Sequence, residues 1–216
     1  MSEADHSHQP KRDAASRGQS LVEFALVLPM LLVLLLGIAD FARVFTAGIA
    51  TESAARNGAE AAAQEYVQMA RNRPGGTLLL ADYESLHDLA AARVCADADV
   101  LPNKVEAGGV CSMPSIAVCI HDTTGDLAGC GVEAASAPAE CTDIHDTWDG
   151  SNAGPALGNG ALAYVEVRLC YRFTTLINLS GLDLPFGWGL DLGDVYLQRD
   201  REFAVACYWT ATGACN

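Results

Sequence analysis

Several absences narrow this 216-residue sequence before any motif is read. Positive charge is scarce: 13 Lys and Arg stand against 27 Asp and Glu, a net charge of −14. That is the wrong sign for neutralising phosphate backbones or anionic headgroups, so nucleic acid is not an expected partner. No G-x-S-x-G, H-E-x-x-H, Walker loop or dinucleotide fingerprint is present, and the neighbours His121-Asp122 and His145-Asp146 are the only hints of catalysis. Such pairs are expected by composition in an acidic chain, which therefore reads as a non-enzyme with no cofactor. Cysteine is missing before residue 95, and no C-x-x-C occurs anywhere, which argues against a zinc site or a thioredoxin-like motif. Between Phe24 and Ala39 there is no charged or polar side chain at all.

That run defines the first element. As a helix, Phe24 to Ala39 spans about 24 Å, slightly short of a bilayer's hydrocarbon core. Extension from Leu21 to Ala42 gives about 33 Å, enough to cross, but draws Glu23 and Asp40 to the two edges. Lys11, Arg12 and Arg17 precede the span, so the positive-inside rule keeps the N-terminus cytoplasmic and sends the remainder outward. The reading is a single-pass protein of the cytoplasmic (inner) membrane with an extracytoplasmic C-terminal domain. A cleaved secretory signal ending near Gly37 and Ala39 fits less well, because the run exceeds a usual h-region of about 7 to 15 residues.

The helical pattern continues past the membrane. Phe41, Phe45, Gly48, Ala55, Ala59, Ala62, Tyr66 and Met69 form one stripe of mostly small residues, a close-packing face, with Glu52, Arg56 and Glu60 as i,i+4 charge pairs beside it. One helix is predicted from about Ser20 to about Arg71, kinked at Pro29 and ended by Pro74-Gly75-Gly76, after a disordered stretch over residues 1 to 20. Leu80 to Val94 predicts a short second helix ending near Cys95. Alternation from Ala161 to Phe173 predicts a strand whose core face is Ala163, Val165, Val167, Leu169, Tyr171 and Phe173. Ile116 to His121 and Val195 to Cys207 are further strands, the second with a charged centre suited to an edge. The fold class is α+β: a long N-terminal helix packed on a small antiparallel sheet.

The eight cysteines, Cys95, Cys111, Cys119, Cys130, Cys141, Cys170, Cys207 and Cys215, all follow the apolar run. An even number at irregular spacing in an exported segment predicts disulfides. Cys130 to Cys141 is the nearest local pair, with the other partners undetermined. Between Asp122 and Gly160 a Gly, Ala, Pro, Ser and Asp-rich stretch anchored only by Trp148 reads as a long loop. Within it Asp143, Asp146, Asp149 and Asn152 fall three apart, which is not the EF-hand pattern, so no metal is assigned. Leu182 to Leu190, with Phe186 and Trp188, reads as an apolar loop that touches either its own helix or another surface.

The stretch Arg17-Gly18-Gln19-Ser20-Leu21-Val22-Glu23-Phe24-Ala25-Leu26-Val27-Leu28-Pro29 places a Gly five residues before a Glu that opens an apolar helix with an early Pro. It resembles the prepilin signal of TadE-like minor pilins of tight-adherence (Tad/Flp) pili. Gly37-Ile-Ala-Asp-Phe-Ala-Arg43 and Ala54-Ala-Arg-Asn-Gly-Ala59 are similar to that family too, so the likeness covers about residues 17 to 62, with a weaker echo over Tyr164 to Phe173. The resemblance implies a cytoplasmic prepilin leader over residues 1–18; the residue patterns above then divide the rest into a transmembrane helix over 19–42, its extracytoplasmic continuation over 43–72 and an α+β domain over 73–216 with the loop 122–160. It implies cleavage between Gly18 and Gln19 by a prepilin peptidase, and assembly with other pilin and minor pilin subunits through Glu23. The alternative is a single-pass membrane-anchored binding module outside any pilus, which needs neither Gly18 nor Glu23.

Overall fold

The computed structural model describes residues 16–73, 76, 78–122, 130–131, 137–144, 162–176 and 194–205. Helix α1 runs from Ser16 to Asn72 with Pro29 inside it, and helix α2 from Leu80 to Asp97, followed by a 3₁₀ turn at Ala98–Val100. Strands follow at β1 Val105–Ala107, β2 Val110–Met113, β3 Ser115–His121, β4 Cys130–Gly131, β5 Tyr164–Thr174 and β6 Asp194–Ala204. The chain divides into two compact units, Met1–Ala42 and Arg43–Asn216.

In the first unit the described part of α1 is a bare apolar rod, exposed at every position from Ser20 to Ala39. The helix starts earlier than its sequence predicts and so overlaps the expected disorder at Ser16 to Ser20. Adding a turn to an existing helix avoids the cost of nucleation, so weak helix formers such as Gly18 are carried along.

The second unit is the expected α+β fold. Its four-stranded sheet has the order β4-β3-β5-β6, antiparallel throughout, with Val118 opposite Val167 and Val167 opposite Arg201. Ile116, Val118 and Ile120 on β3 share a face with Val165, Val167, Leu169, Tyr171 and Phe173 on β5, as the register requires. That face joins Ala54, Ala55, Ala59, Ala62 and Tyr66 of α1 and Tyr83, Leu86, Ala90 and Val94 of α2 in one core. The predicted core face of β5 is fully buried, and β6 is an edge strand among those described, as its charged centre suggests. The Arg43 guanidinium lies 5.0 Å from the Phe173 ring centroid, a cation–π contact between α1 and β5.

Close approach explains the small residues. A Cβ on Gly58 would stand 2.4 Å from Val94 Cγ2 and 3.1 Å from the Ala90 carbonyl oxygen, so only glycine lets α1 and α2 meet there. The stripe, however, is buried only from Ala47, with Val44 partly buried ahead of it, rather than from the predicted aromatics: Phe41 and Phe45 are exposed. Helix periodicity alone cannot say where along a helix its partner begins. Glu52 also reaches beyond the expected pairing within the helix. It accepts hydrogen bonds from Arg201 of β6, one of them at 2.9 Å from Nε, with Arg199 3.8 Å away.

One hairpin was not expected. β1 and β2 pair with Ala107 opposite Val110, leaving Gly108 and Gly109 as a two-residue loop with φ of 64° and 85°. Both signs are positive, as the mirror-image hairpin turns demand, and the Gly-Gly dipeptide was the available signal.

The other face of the sheet is occupied as well. Ala117 and Cys170 pack with Cys141 and Ile144 in a second, smaller cluster. Three disulfides are formed by described residues: Cys95–Cys111, Cys119–Cys130 and Cys141–Cys170. The expected Cys130–Cys141 pair is therefore replaced. Cys130 enters β4, which places it directly opposite Cys119, while Cys141 lies over β5 at Cys170. Sheet register, which spacing does not reveal, overrides proximity in sequence. Cys207, Cys215, Trp148, the Leu182 to Leu190 stretch, His145, Asp146, Asp149 and Asn152 lie outside the described residues.

Candidate membrane and assembly segment

Gly18 and Gln19 are the third and fourth residues of α1. The first four backbone N–H groups of any helix lack a helical acceptor, so this turn is the easiest part of α1 to open. Glu23 follows one turn after Gln19, which sets the two on the same side of the helix about 6 Å apart along its axis. It is exposed, in the midst of exposed apolar neighbours: Val22, Phe24 and Leu26 are 62%, 60% and 71% accessible. Mean hydropathy reaches 2.7 over an 18-residue window of this helix, none of it buried. By length and composition that is compatible with a single membrane pass. Soluble domains rarely leave so large an apolar surface uncovered.

The continuation of α1 within the second unit is tied down by polar links that the sequence reading missed. Asn57 Nδ2 donates to Asp97 of α2 at 2.8 Å. Deeper in, the Tyr66 hydroxyl donates to buried Asp122 at 3.0 Å, and the Tyr83 hydroxyl donates to the same carboxylate oxygen. A helix residue from α1, one from α2 and the residue after β3 thus meet at one buried carboxylate. Burial first, and then the Asp122 charge, push the Tyr66 hydroxyl's pKa far above its ordinary value, so it stays a donor at any physiological pH. At the rim, the hydrogen bond from Arg201 chiefly holds the Glu52 carboxyl below its usual range.

His121 and Asp122, adjacent in sequence, point to different clusters. His121 Nε2 lies 2.9 Å from Glu166 Oε2 and its ring stacks on Tyr164 at 4.3 Å between centroids. Arg168 Nε donates to the other Glu166 oxygen at 2.6 Å. Burial raises the Glu166 pKa, but the bonds from His121 and Arg168 outweigh it and the net displacement is downward. Of the acidic triplet spacing, Asp143 is described: its N–H donates to Gln198 Oε1 at 2.9 Å and its carbonyl accepts from Arg168. Its backbone is engaged in joining loop to sheet.

The chain thus joins a long apolar helix, compatible with one membrane crossing, to a disulfide-bearing α+β unit. Residues 18–60 match the family described as TadE-like protein. The match begins at Gly18, ends within the buried stretch of α1, and coincides with the segment whose motifs resemble that family. That likeness suggests a pilus-associated protein. No curated protein and no solved structure matches the chain.

Proposed function

We propose that this protein is a minor pilin or assembly subunit of a Tad/Flp-type pilus, stored in the cytoplasmic membrane through α1 with its N-terminus inside. A prepilin peptidase removes the leader after Gly18, and the helix beginning at Gln19 then enters a bundle with other pilin subunits. What supports the reading is one coincidence: the family match starts at Gly18 in the first turn of α1, five residues ahead of a carboxylate at the head of a bare apolar helix.

The chemistry of the step follows from charge. The basic residues before Gly18 resist entry into lipid, so the uncut helix cannot slide fully into a bundle. Cleavage removes them and creates an ammonium at Gln19. It also shifts Glu23 from the eighth residue of α1 to the fifth of a new helix, nearer the positive end of the helix dipole. A carboxylate within the membrane costs about 2.5 to 3.5 kcal/mol at the centre and less at the edge. A neighbouring subunit's Gln19 ammonium offsets that cost and rewards one helical register.

N-terminal sequencing of the native protein tests the processing step, with Gln19 expected as the first residue. Gly18→Ala keeps the leader attached. Glu23→Ala is still cut and still inserts, yet no longer co-purifies with pilus components. A mature chain beginning at Asp40 refutes the cleavage, and normal piliation with Glu23→Ala refutes the pairing. A native protein that is never cut and never found in pili is instead a membrane-anchored binding module.

A further inference from the structure

The three described disulfides are not equivalent. Cys95, Cys111, Cys141 and Cys170 are each at most 2% exposed, so both sulfurs of the first and third bonds are closed to an attacking thiol. Cys119 is equally buried at 1%, but Cys130 is partly exposed. The second bond also has chemistry beside it. Cys119 and His121 are two apart on β3 and so project from one face, and Glu166 is the register partner of Cys119 on β5. The Cys119 sulfur, a His121 ring nitrogen and a Glu166 carboxylate oxygen lie within 4.8 Å of one another. Glu166 is held in turn by Arg168. An imidazole beside a sulfur and oriented by a carboxylate is the arrangement that activates or protonates a thiolate.

We infer that Cys119–Cys130 is a thiol–disulfide exchange site, and that its substrate is a dithiol reductant reaching the sheet edge at β4. The thiolate of the dithiol attacks Cys130 Sγ. The Cys119–Cys130 bond breaks, a mixed disulfide forms on Cys130, and the electron pair leaves on Cys119 Sγ, which takes a proton from His121. The second thiol of the reductant then attacks the mixed disulfide, freeing Cys130 as a thiolate that is protonated from solvent. Two electrons pass from the dithiol, which leaves as a disulfide, and His121 regains its proton from solvent. Attack at Cys130 is favoured because it is the accessible sulfur, and departure of Cys119 because its charge is met by the imidazole. The consequence is structural: among the described residues β4 pairs with β3 through Val118–Gly131 and Cys119–Cys130, so opening the bond leaves that two-residue ladder to hold the edge.

The test uses the native full-length protein in detergent, a limiting amount of dithiothreitol, an acid quench and differential alkylation read by mass spectrometry. Cys119 and Cys130 are expected to open at least about tenfold faster than the other four described cysteines. With a monothiol in place of dithiothreitol, the trapped adduct is expected on Cys130. In His121→Gln, opening of this pair slows about tenfold, while Cys95–Cys111 and Cys141–Cys170 keep their wild-type rates, which also certifies the fold. Faster opening of either other pair, or an adduct on Cys119, overturns the site. An unchanged rate in His121→Gln, or all three bonds opening faster, overturns the role of the imidazole.

Discussion

Between Leu21 and Ile38, helix α1 carries leucine, valine and phenylalanine, all exposed; between Ala54 and Ala63 it carries alanine and glycine, mostly buried. The same helix thus reverses the usual relation between side-chain size and burial. In the first segment the apolar side chains are exposed, which suits a lipid or helix-bundle environment. In the second, small side chains are inside because two helices and a sheet must approach closely, and a larger residue would hold them apart. Hydrophobicity describes the first segment and steric fit the second. Each substitution below therefore has a different expected effect according to the segment it touches.

The largest effect is expected where the second segment is locked. Asp122→Ala removes the acceptor shared by the Tyr66 and Tyr83 hydroxyls and leaves both buried donors without it. Losing a buried, charged acceptor costs about 1.5 to 3 kcal/mol, so denaturant unfolding is expected to show a loss of about 2 to 3 kcal/mol. Tyr66→Phe removes only one donor and should cost about 1 kcal/mol. A loss from Asp122→Ala no greater than that from Tyr66→Phe would show that the shared carboxylate does not organise the junction.

Gly58→Ala comes next. Alanine is the better helix former by about 1 kcal/mol, but its methyl would stand 2.4 Å from Val94 Cγ2, closer than real contacts allow. Overpacking of this kind costs about 1 to 3 kcal/mol, so the net change is a destabilisation of about 1 kcal/mol, measurable by thermal unfolding. Val94→Ala in the same chain opens the space, and the pair should lose less than the sum of the two single changes. Strict additivity would mean that α1 and α2 do not meet at this point.

Acid should loosen the second unit while leaving the apolar segment helical. Glu166 and Glu52 both have folded-state pKa values below their ordinary ones. The stability they contribute is therefore fully present above the unfolded glutamate value of about 4.3 and is lost as pH falls through the depressed folded values. The unfolding midpoint is expected to drop steadily below about pH 4.5, and Glu166→Gln should flatten that slope while lowering the midpoint at pH 7. An identical slope in Glu166→Gln would remove the His121–Glu166–Arg168 cluster from the account.

Period and composition made α1, α2, the core strand β5 and the edge strand β6 legible, because each is long enough for its pattern to repeat. The Gly18–Glu23 spacing was legible for a different reason, as a motif set against an apolar run. What stayed hidden depends on register across the sheet. Nothing in the spacing of Cys119, Cys130, Cys141 and Cys170 says that a two-residue strand will set Cys130 beside Cys119. Likewise Tyr66 and Tyr83 lie 56 and 39 residues before Asp122, and only the packed fold brings them to one oxygen. Phe41 and Phe45 misled because the helical stripe extends beyond its partner.

The smallest effect is expected from Gly37→Ala, and it sharpens the contrast with Gly58. A Cβ at Gly37 meets nothing within 4 Å, so the change introduces no clash, and it adds helix propensity of about 1 kcal/mol to a segment that lies outside the folded core of the second unit. The unfolding midpoint of that unit should stay within error, and membrane insertion should be unchanged or slightly favoured. If the small residue matters, it does so where helices of different subunits meet, since glycine allows two backbones to approach. Co-purification of the variant with pilus components is thus the decisive measurement. Retained assembly assigns Gly37 to the lipid-facing side, whereas lost assembly at unchanged stability places it in a helix–helix contact. A lowered midpoint would contradict the division of α1 into a bare segment and a packed one.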